Sequence, residues 1–295
     1  MSDLAPQLPA LPKRQVLRLS SAYYLDAMQR IIALLDLGLG PALVFLEITW
    51  ENFKSHPGVG LDAPEPVSIY AVAKALNVPY ETTRRHITAL VASQACERQT
   101  QGVVVAHGFY ERPEVQAAME TTQGQTAGYV AALVLAGAAP AEPSPATQIS
   151  RRVGLFAAEH LIRCARIARN ALGLDSLSAL VFLEIVRQNT WHLTQDPVQA
   201  ARFASAEAIP PDDLRRGVST YAVARSLRLP YETARRQVVK LNALGYLGRG
   251  SNAKHVVPMS VFASTANMSA IEDTWLEVER FLGALGQAHP NIFEP

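Results

Sequence analysis

The chain has 295 residues, of which 49% are apolar and 18% charged, and its formal net charge is +1. That length exceeds one typical core and suits two domains; the composition excludes intrinsic disorder, and the charge balance leaves any polyanionic partner to be decided by how charge is distributed. Two cysteines, Cys96 and Cys164, exclude a disulfide framework and a four-cysteine zinc site, and they fit a reducing compartment.

In chain order, the opening MSDLAPQLPALPKRQ lacks the uninterrupted apolar stretch of a secretion signal. A helix-periodic segment follows, marked by Tyr24, Met28, Ile31, Ile32 and Leu35, and then a second helix around ALVFLEI at 42–48. Ser68 is placed to cap a short helix, YAVAKAL. The corner Asn77-Val78-Pro79 stops that helix, and its proline suits the first turn of the next, which runs from Tyr80 to about Ser93. ACERQTQGVVV reads as two short strands about a glycine-bearing turn, and a last helix covers about 112–135. The longest apolar run, YVAALVLAGAAPA from Tyr129, falls short of the roughly 20 residues a membrane helix needs. A soluble cytoplasmic protein without a membrane partner is expected. GAAPAEPSPATQ at 137–148 reads as a linker.

After the linker the same order returns. Phe156, Leu161, Ile162, Ala165 and Leu172 mark a long helix, and ALVFLEI recurs letter for letter at 179–185, displaced by 137 positions. STYAVARSLRLPYETARRQV from Ser219 then repeats SIYAVAKALNVPYETTRRHI from Ser68, displaced by 151. The difference is an insertion of fourteen residues, placed in the polar, proline-bearing stretch at 191–217. A helix from Tyr231 to about Leu244, a hairpin in YLGRGSNAKHVV and a helix over about 268–285 complete the second copy. The expected organisation is a first half at 15–136, a linker at 137–148 and a second half at 149–288.

SIYAVAKALNVPYETTRRHITAL and STYAVARSLRLPYETARRQVVKLNALGYL resemble the winged helix-turn-helix superfamily, with Gly245 falling where such folds close the recognition helix. The long helices on either side make each half similar to a subunit of the multiple antibiotic resistance regulator (MarR) type. That resemblance implies a mainly α fold with small β-wings, and outer helices that join the two halves as a fused, pseudo-twofold dimer. It also implies a pocket for a small-molecule effector between outer helices and winged module, for which Tyr24, Met28 and Trp50, with Tyr23 and Phe53, are candidates.

On a helix turning 100° per residue, Thr83, Ile87 and Leu90 form one stripe, as do Ala234, Val238 and Leu241. The opposite face carries Tyr80, Glu81, Arg84, Arg85 and Thr88, or Tyr231, Glu232, Arg235, Arg236 and Val239. Paired arginines near a helix start suit a major groove, where arginine takes guanine bidentately and glutamate accepts from cytosine. Thr82 and Thr233 suit phosphate contacts at the helix start. Glu81 with Arg85, and Glu232 with Arg236, are also i,i+4 pairs that any solvated helix carries; retention of the same pattern in two diverged copies favours a shared role. Arg98, Lys240, Arg249 and Lys254 add further backbone contacts from helix and wing. Residues 68–103 carry a net +2 and residues 219–254 a net +6, so the second module is expected to bind phosphate more strongly.

Other signals are weaker. GRGSNA from Gly248 formally fits a dinucleotide fingerprint but lies in the expected wing. The seven histidines have no metal spacing, and Asp212 and Asp213 sit in a proline-rich loop. No cofactor, metal or enzymatic activity is expected. The leading expectation is a transcriptional regulator that binds double-stranded DNA through two recognition helices of one chain, with a small-molecule effector and a further homodimer both compatible. A winged-helix protein-interaction scaffold and a tandem winged-helix replication initiator are the alternatives.

Overall fold

The computed structural model describes residues 11–55, 64–138, 151–250 and 254–288. It is mostly helical, with two small antiparallel hairpins. The first half runs α1 (Lys13–Leu35), α2 (Leu39–Phe53), α3 (Ile69–Leu76), α4 (Tyr80–Ala92), β1 (Cys96–Gln99), β2 (Gly102–Val105) and α5 (Pro113–Leu135). The second runs α6 (Arg151–Leu172), α7 (Ser176–Gln195), α8 (Pro197–Arg202), α9 (Thr220–Ser226), α10 (Tyr231–Ala243), β3 (Gly248–Arg249), β4 (His255–Val256), α11 (Met259–Phe262) and α12 (Thr265–Ala288). Most of the expected linker, 139–148, lies outside the described residues.

Local chemistry explains the boundaries. The hydroxyls of Ser68 and Ser219 cap α3 and α9 by accepting from the amides of Ala71 and Ala222, both at 3.1 Å. Asn77 and Arg228 take left-handed φ of 51° and 52° at the two corners, turning the chain into α4 and α10. The insertion, expected as irregular chain, is partly helical. α7 continues to Gln195, and Asp196 then caps α8 through the amides of Val198 and Gln199, with Pro197 in the first turn.

One buried asparagine ties each hairpin to the helix behind it. Asn52 donates to the carbonyls of Glu65 (2.7 Å) and Val103 (3.2 Å) and accepts from the amide of Val105 (2.9 Å). Asn189, 137 positions on, donates to Arg216 (2.7 Å) and His255 (3.2 Å) and accepts from Val257 (2.9 Å). Each satisfies three backbone groups where α2 or α7 meets the hairpin and the strand-like residue before α3 or α9. The hairpins are so close to that residue that one side has no room for a Cβ. A Cβ on Gly102 would lie 2.4 Å from the Val67 carbonyl oxygen, and one on Gly217 would lie 2.7 Å from the Lys254 Cβ. The glycine has changed sides between the copies while the close approach has stayed.

The two halves interleave rather than sit side by side. α6 packs along α12 and also against α2 of the first half, and α1 packs against α5 and against α7 and α12 of the second. At the crossing, Tyr23 stacks on Tyr129 (centroids 4.4 Å, 5° between planes) and His160 on Phe281 (4.5 Å, 24°). His160 stands 137 positions after Tyr23 and Phe281 152 after Tyr129, so the repeat supplies matching ring pairs that meet each other, Tyr129 to His160 at 5.7 Å. Burial pushes the His160 pKa down, and its Nδ1 bonds Glu277 at 2.9 Å. Burial of Glu277 is outweighed by hydrogen bonds from Arg280 and His160, which hold its carboxyl below the ordinary range. Arg280 also reaches Glu159 at 2.8 Å, so these buried charges are paired. Among the described residues no single helix is long and apolar enough to cross a membrane.

Candidate nucleic-acid interface

The hydrophobic stripe fixes which way α4 and α10 face. Thr83, Ile87 and Leu90 are the buried residues of α4, and Ala234, Val238 and Leu241 those of α10. Their burial against α2 and α7 turns the opposite faces outward. Tyr80, Glu81, Arg84, Arg85 and Thr88 are exposed on α4; Tyr231, Glu232, Arg235, Arg236, Val239 and Lys240 are exposed on α10. The exposure pattern of the two helices is the same residue by residue over their first nine positions.

The charges on these faces do not pair as their i,i+4 spacing suggests. Glu81 bonds Arg84 at 2.8 Å and Glu232 bonds Arg235 at 2.8 Å, both i,i+3. Among the described residues, Arg85 and Arg236 therefore have no carboxylate partner. Each helix thus presents one guanidinium braced by a neighbouring carboxylate and one free. The hydrogen bond and charge of Glu81 raise the Arg84 pKa further, so that guanidinium is charged at any working pH. Arg98, on β1, donates to the Thr88 hydroxyl at 3.3 Å and lies beside the same face. Arg249, on β3, and Lys254, just before β4, are exposed on the second hairpin.

Three expected contacts are placed differently. Lys240 is bound to Asp175 at 2.6 Å, and Asp175 also caps α7. Burial raises the Asp175 pKa, but hydrogen bonds from Lys240 and Ser178 overcome that and hold it at about 2. The Lys240 charge is thus neutralised locally, and the excess charge of the second module is smaller than its sequence count. Thr82 and Thr233 are half-buried and line opposite sides of one cavity of about 480 Å³ between the modules, together with Val78 and Leu229. Arg166 and Arg169 of α6 form part of the same wall, and Arg169 donates to the Leu76 carbonyl at 2.5 Å. Both α4 and α10 consequently begin on one shared opening.

Sequence reasoning missed Tyr70 and Tyr221. They occupy equivalent places on α3 and α9 and are 68% and 66% exposed, the most exposed aromatic rings among the described residues. Their signal was available: the same tyrosine stands in both copies on the helix face away from Val72 and Val223, which are fully buried. Of the candidate effector residues, Tyr24 borders a cavity of about 50 Å³ and Phe53 another of about 180 Å³. Tyr24 and Met28 are core residues, Phe53 and Tyr23 are buried, and Trp50 is half-buried against the same core.

Among the described residues no cluster of histidine, cysteine and carboxylate side chains could hold a metal ion. Burial pushes the Cys96 thiol up to about 12 and the Cys164 thiol higher still, so neither is a reactive thiolate. Comparison of the chain with protein-family models, with curated proteins and with solved structures found no match.

Proposed function

We propose that this chain binds duplex DNA as a tandem winged helix-turn-helix protein, with α4 and α10 as recognition helices, β1–β2 and β3–β4 as wings, and a transcriptional regulator as the biological role. The observation that carries the reading is the repeated outward face. Two helices that diverged elsewhere keep an exposed tyrosine, a Glu–Arg brace and a second arginine free of any described carboxylate. A free guanidinium reads a guanine edge or neutralises a phosphate, and a braced one is held extended at low entropic cost. Tyr70 and Tyr221, on the helices that precede the recognition helices, suit contacts to the phosphate backbone.

The matched ring pairs at the centre support a pseudo-twofold unit, since equivalent residues meet one another there. Such a unit in one chain presents two recognition helices without a partner subunit, and its unequal halves call for an imperfect palindrome. The test is a mobility-shift titration of the whole chain against a duplex enriched from random DNA and against a scrambled duplex. Retention of the enriched duplex at concentrations that leave the scrambled one free supports the proposal. Equal and weak retention of both favours the interaction-scaffold reading, in which the exposed tyrosines dock on protein.

A further inference from the structure

The glutamate of the repeated ALVFLEI helix meets different surroundings in the two halves. Glu184 of α7 is bonded by Arg187 and Gln188 from its own helix. Glu47 of α2 is 3% exposed, and its Oε2 is buried with no hydrogen-bond partner among the described residues. The repeat puts Trp50 and Glu51 where α7 has Arg187 and Gln188, so the next turn of α2 offers Glu47 no cation. The helix that crosses α2 does. On α6, Arg166 stands where α1 has Gln29. It is exposed, has no ion pair among the described residues, and lines the opening on which α4 and α10 both begin.

The other charges around Glu47 are engaged or turned away. On α2, Lys54 is bound to Glu51 at 2.7 Å. On α6, Glu159 is held by Arg163 and Arg280, both at 2.8 Å. Of the remaining elements packed against α2, β2 has no titratable side chain and α3 turns Tyr70 and Lys74 to solvent. α4 faces its arginines outward and sets His86 against Gly40, two turns before Glu47. On α1, Asp26 is taken by Arg187, and Arg30 interacts with Asp26 and Tyr23. Burial, reinforced by Glu51, lifts the Glu47 pKa to about 7, with Arg166 the strongest opposing charge. An ionised carboxylate in this dry contact needs a counter-charge, and Arg166 is free to supply it. We propose that Glu47 is a proton-operated latch on the opening between α4 and α10. Protonated, it lies neutral between α2 and α6 and leaves Arg166 in the opening to meet a phosphate; ionised, it draws Arg166 across to itself and removes that contact. The phosphate contact rests on the DNA-binding reading, whereas the movement of Arg166 does not. Duplex affinity accordingly falls as pH rises through neutrality, and Glu184, already paired, adds nothing to that dependence.

The test uses the full chain and two variants, Glu47→Gln and Arg166→Gln, the second of which copies the residue of α1. In ¹³C NMR of the glutamate carboxyls, the natural chain should show a resonance titrating near pH 7 that Glu47→Gln lacks. Arg166→Gln should move that midpoint up by about one pH unit. An absent transition, or a midpoint that Arg166→Gln leaves in place, overturns the latch whether or not DNA binds. In anisotropy titrations against an enriched duplex at fixed salt, the natural chain should bind about fivefold tighter at pH 6 than at pH 8, the effect of one exposed ion pair. Glu47→Gln should bind at pH 8 as the natural chain does at pH 6, and Arg166→Gln should bind with the weaker affinity at both. A pH dependence that either variant leaves unchanged overturns the latch. Absence of duplex binding at every pH, with the carboxyl titration as expected, overturns the phosphate contact and the DNA-binding reading while supporting the movement of Arg166.

Discussion

At the scale of single residues, the duplication provides internal controls, because the same position is often solved twice with different side chains. Gln94 and Gly245 both take a left-handed backbone after the exposed helix, at φ of 58° and 78°. No atom lies within 4 Å of a Cβ at Gly245, so the cost of a side chain there is that of the backbone alone. Gln94→Gly should therefore raise stability by about 1 kcal/mol in urea unfolding, and Gly245→Gln should lower it by a similar amount. Glu47 and Glu184 differ more sharply. Glu184 is held by Arg187 at 2.8 Å and Gln188 at 2.6 Å; at the matching places beside Glu47 stand Trp50 and Glu51, and Glu47 Oε2 is buried without a partner among the described residues. Burial, reinforced by Glu51, lifts the Glu47 pKa from 4.5 to about 7 against the pull of Arg166 and Lys54. Between those values the folded chain keeps a proton that the unfolded chain releases, so stability falls as pH rises through the window and the loss is complete above about 7. Glu47→Gln should remove that loss, stabilising the chain at pH 8 by up to about 3 kcal/mol and far less at pH 4.5, as read from urea midpoints at the two pH values. Glu184→Gln should give no such gain. The sequence showed both glutamates in one repeated heptapeptide but not their unequal surroundings, because these depend on which residues of α6 and α1 cross over them.

At the scale of elements, the helices and hairpins were legible because their signals are local: Ser68 and Ser219 as caps, the prolines at 79 and 230, and the stripe that ends at Leu90 and Leu241. The extension of α7 to Gln195 and the short α8 were not, since proline and polar residues over 191–217 read as loop and only the Asp196 cap marks a helix start. The asparagine clamps escaped notice for another reason. A buried amide that serves three backbone groups of a distant hairpin has no pattern within its own segment. Asn189→Ala would leave the Val257 amide and the Arg216 carbonyl without Asn189 and the His255 carbonyl with the Val218 amide alone, and should cost roughly 2–4 kcal/mol, with circular dichroism showing helices retained at low denaturant. On the outward faces, the ion pairs are i,i+3 rather than i,i+4, and Lys240 is already spoken for by Asp175. The second module nonetheless keeps Arg225, Arg228, Arg249 and Lys254 exposed, against Lys74 and Arg98 in the first. Replacing Arg235 and Arg236 by alanine should therefore weaken duplex binding more than replacing Arg84 and Arg85, in mobility-shift titrations run at the same salt.

At the scale of the whole molecule, the halves share one core, with α1 and α6 each packed into the other half and four aromatic rings stacked where they cross. A sequence repeat shows that two similar units exist, but interleaving of this kind arises from contacts between segments more than a hundred residues apart, and so it had no sequence signature beyond the resemblance. One consequence is cooperative unfolding: urea titrations followed by tryptophan fluorescence and by circular dichroism should give one coincident transition, and Tyr129→Ala should shift it as a whole by about 3 kcal/mol or more. The same interleaving fixes α4 and α10 on either side of one opening, with their arginines exposed, and the proposed DNA binding rests on those two faces. The most direct measurement is the salt dependence of affinity for an enriched duplex, by fluorescence anisotropy, for the natural chain and for the variant with Arg235 and Arg236 both changed to alanine. The account predicts a steep fall of affinity with salt for the natural chain and a log–log slope shallower by about two for the variant. A variant that binds with unchanged affinity and slope, or a natural chain that shows no salt-dependent duplex binding, would contradict it.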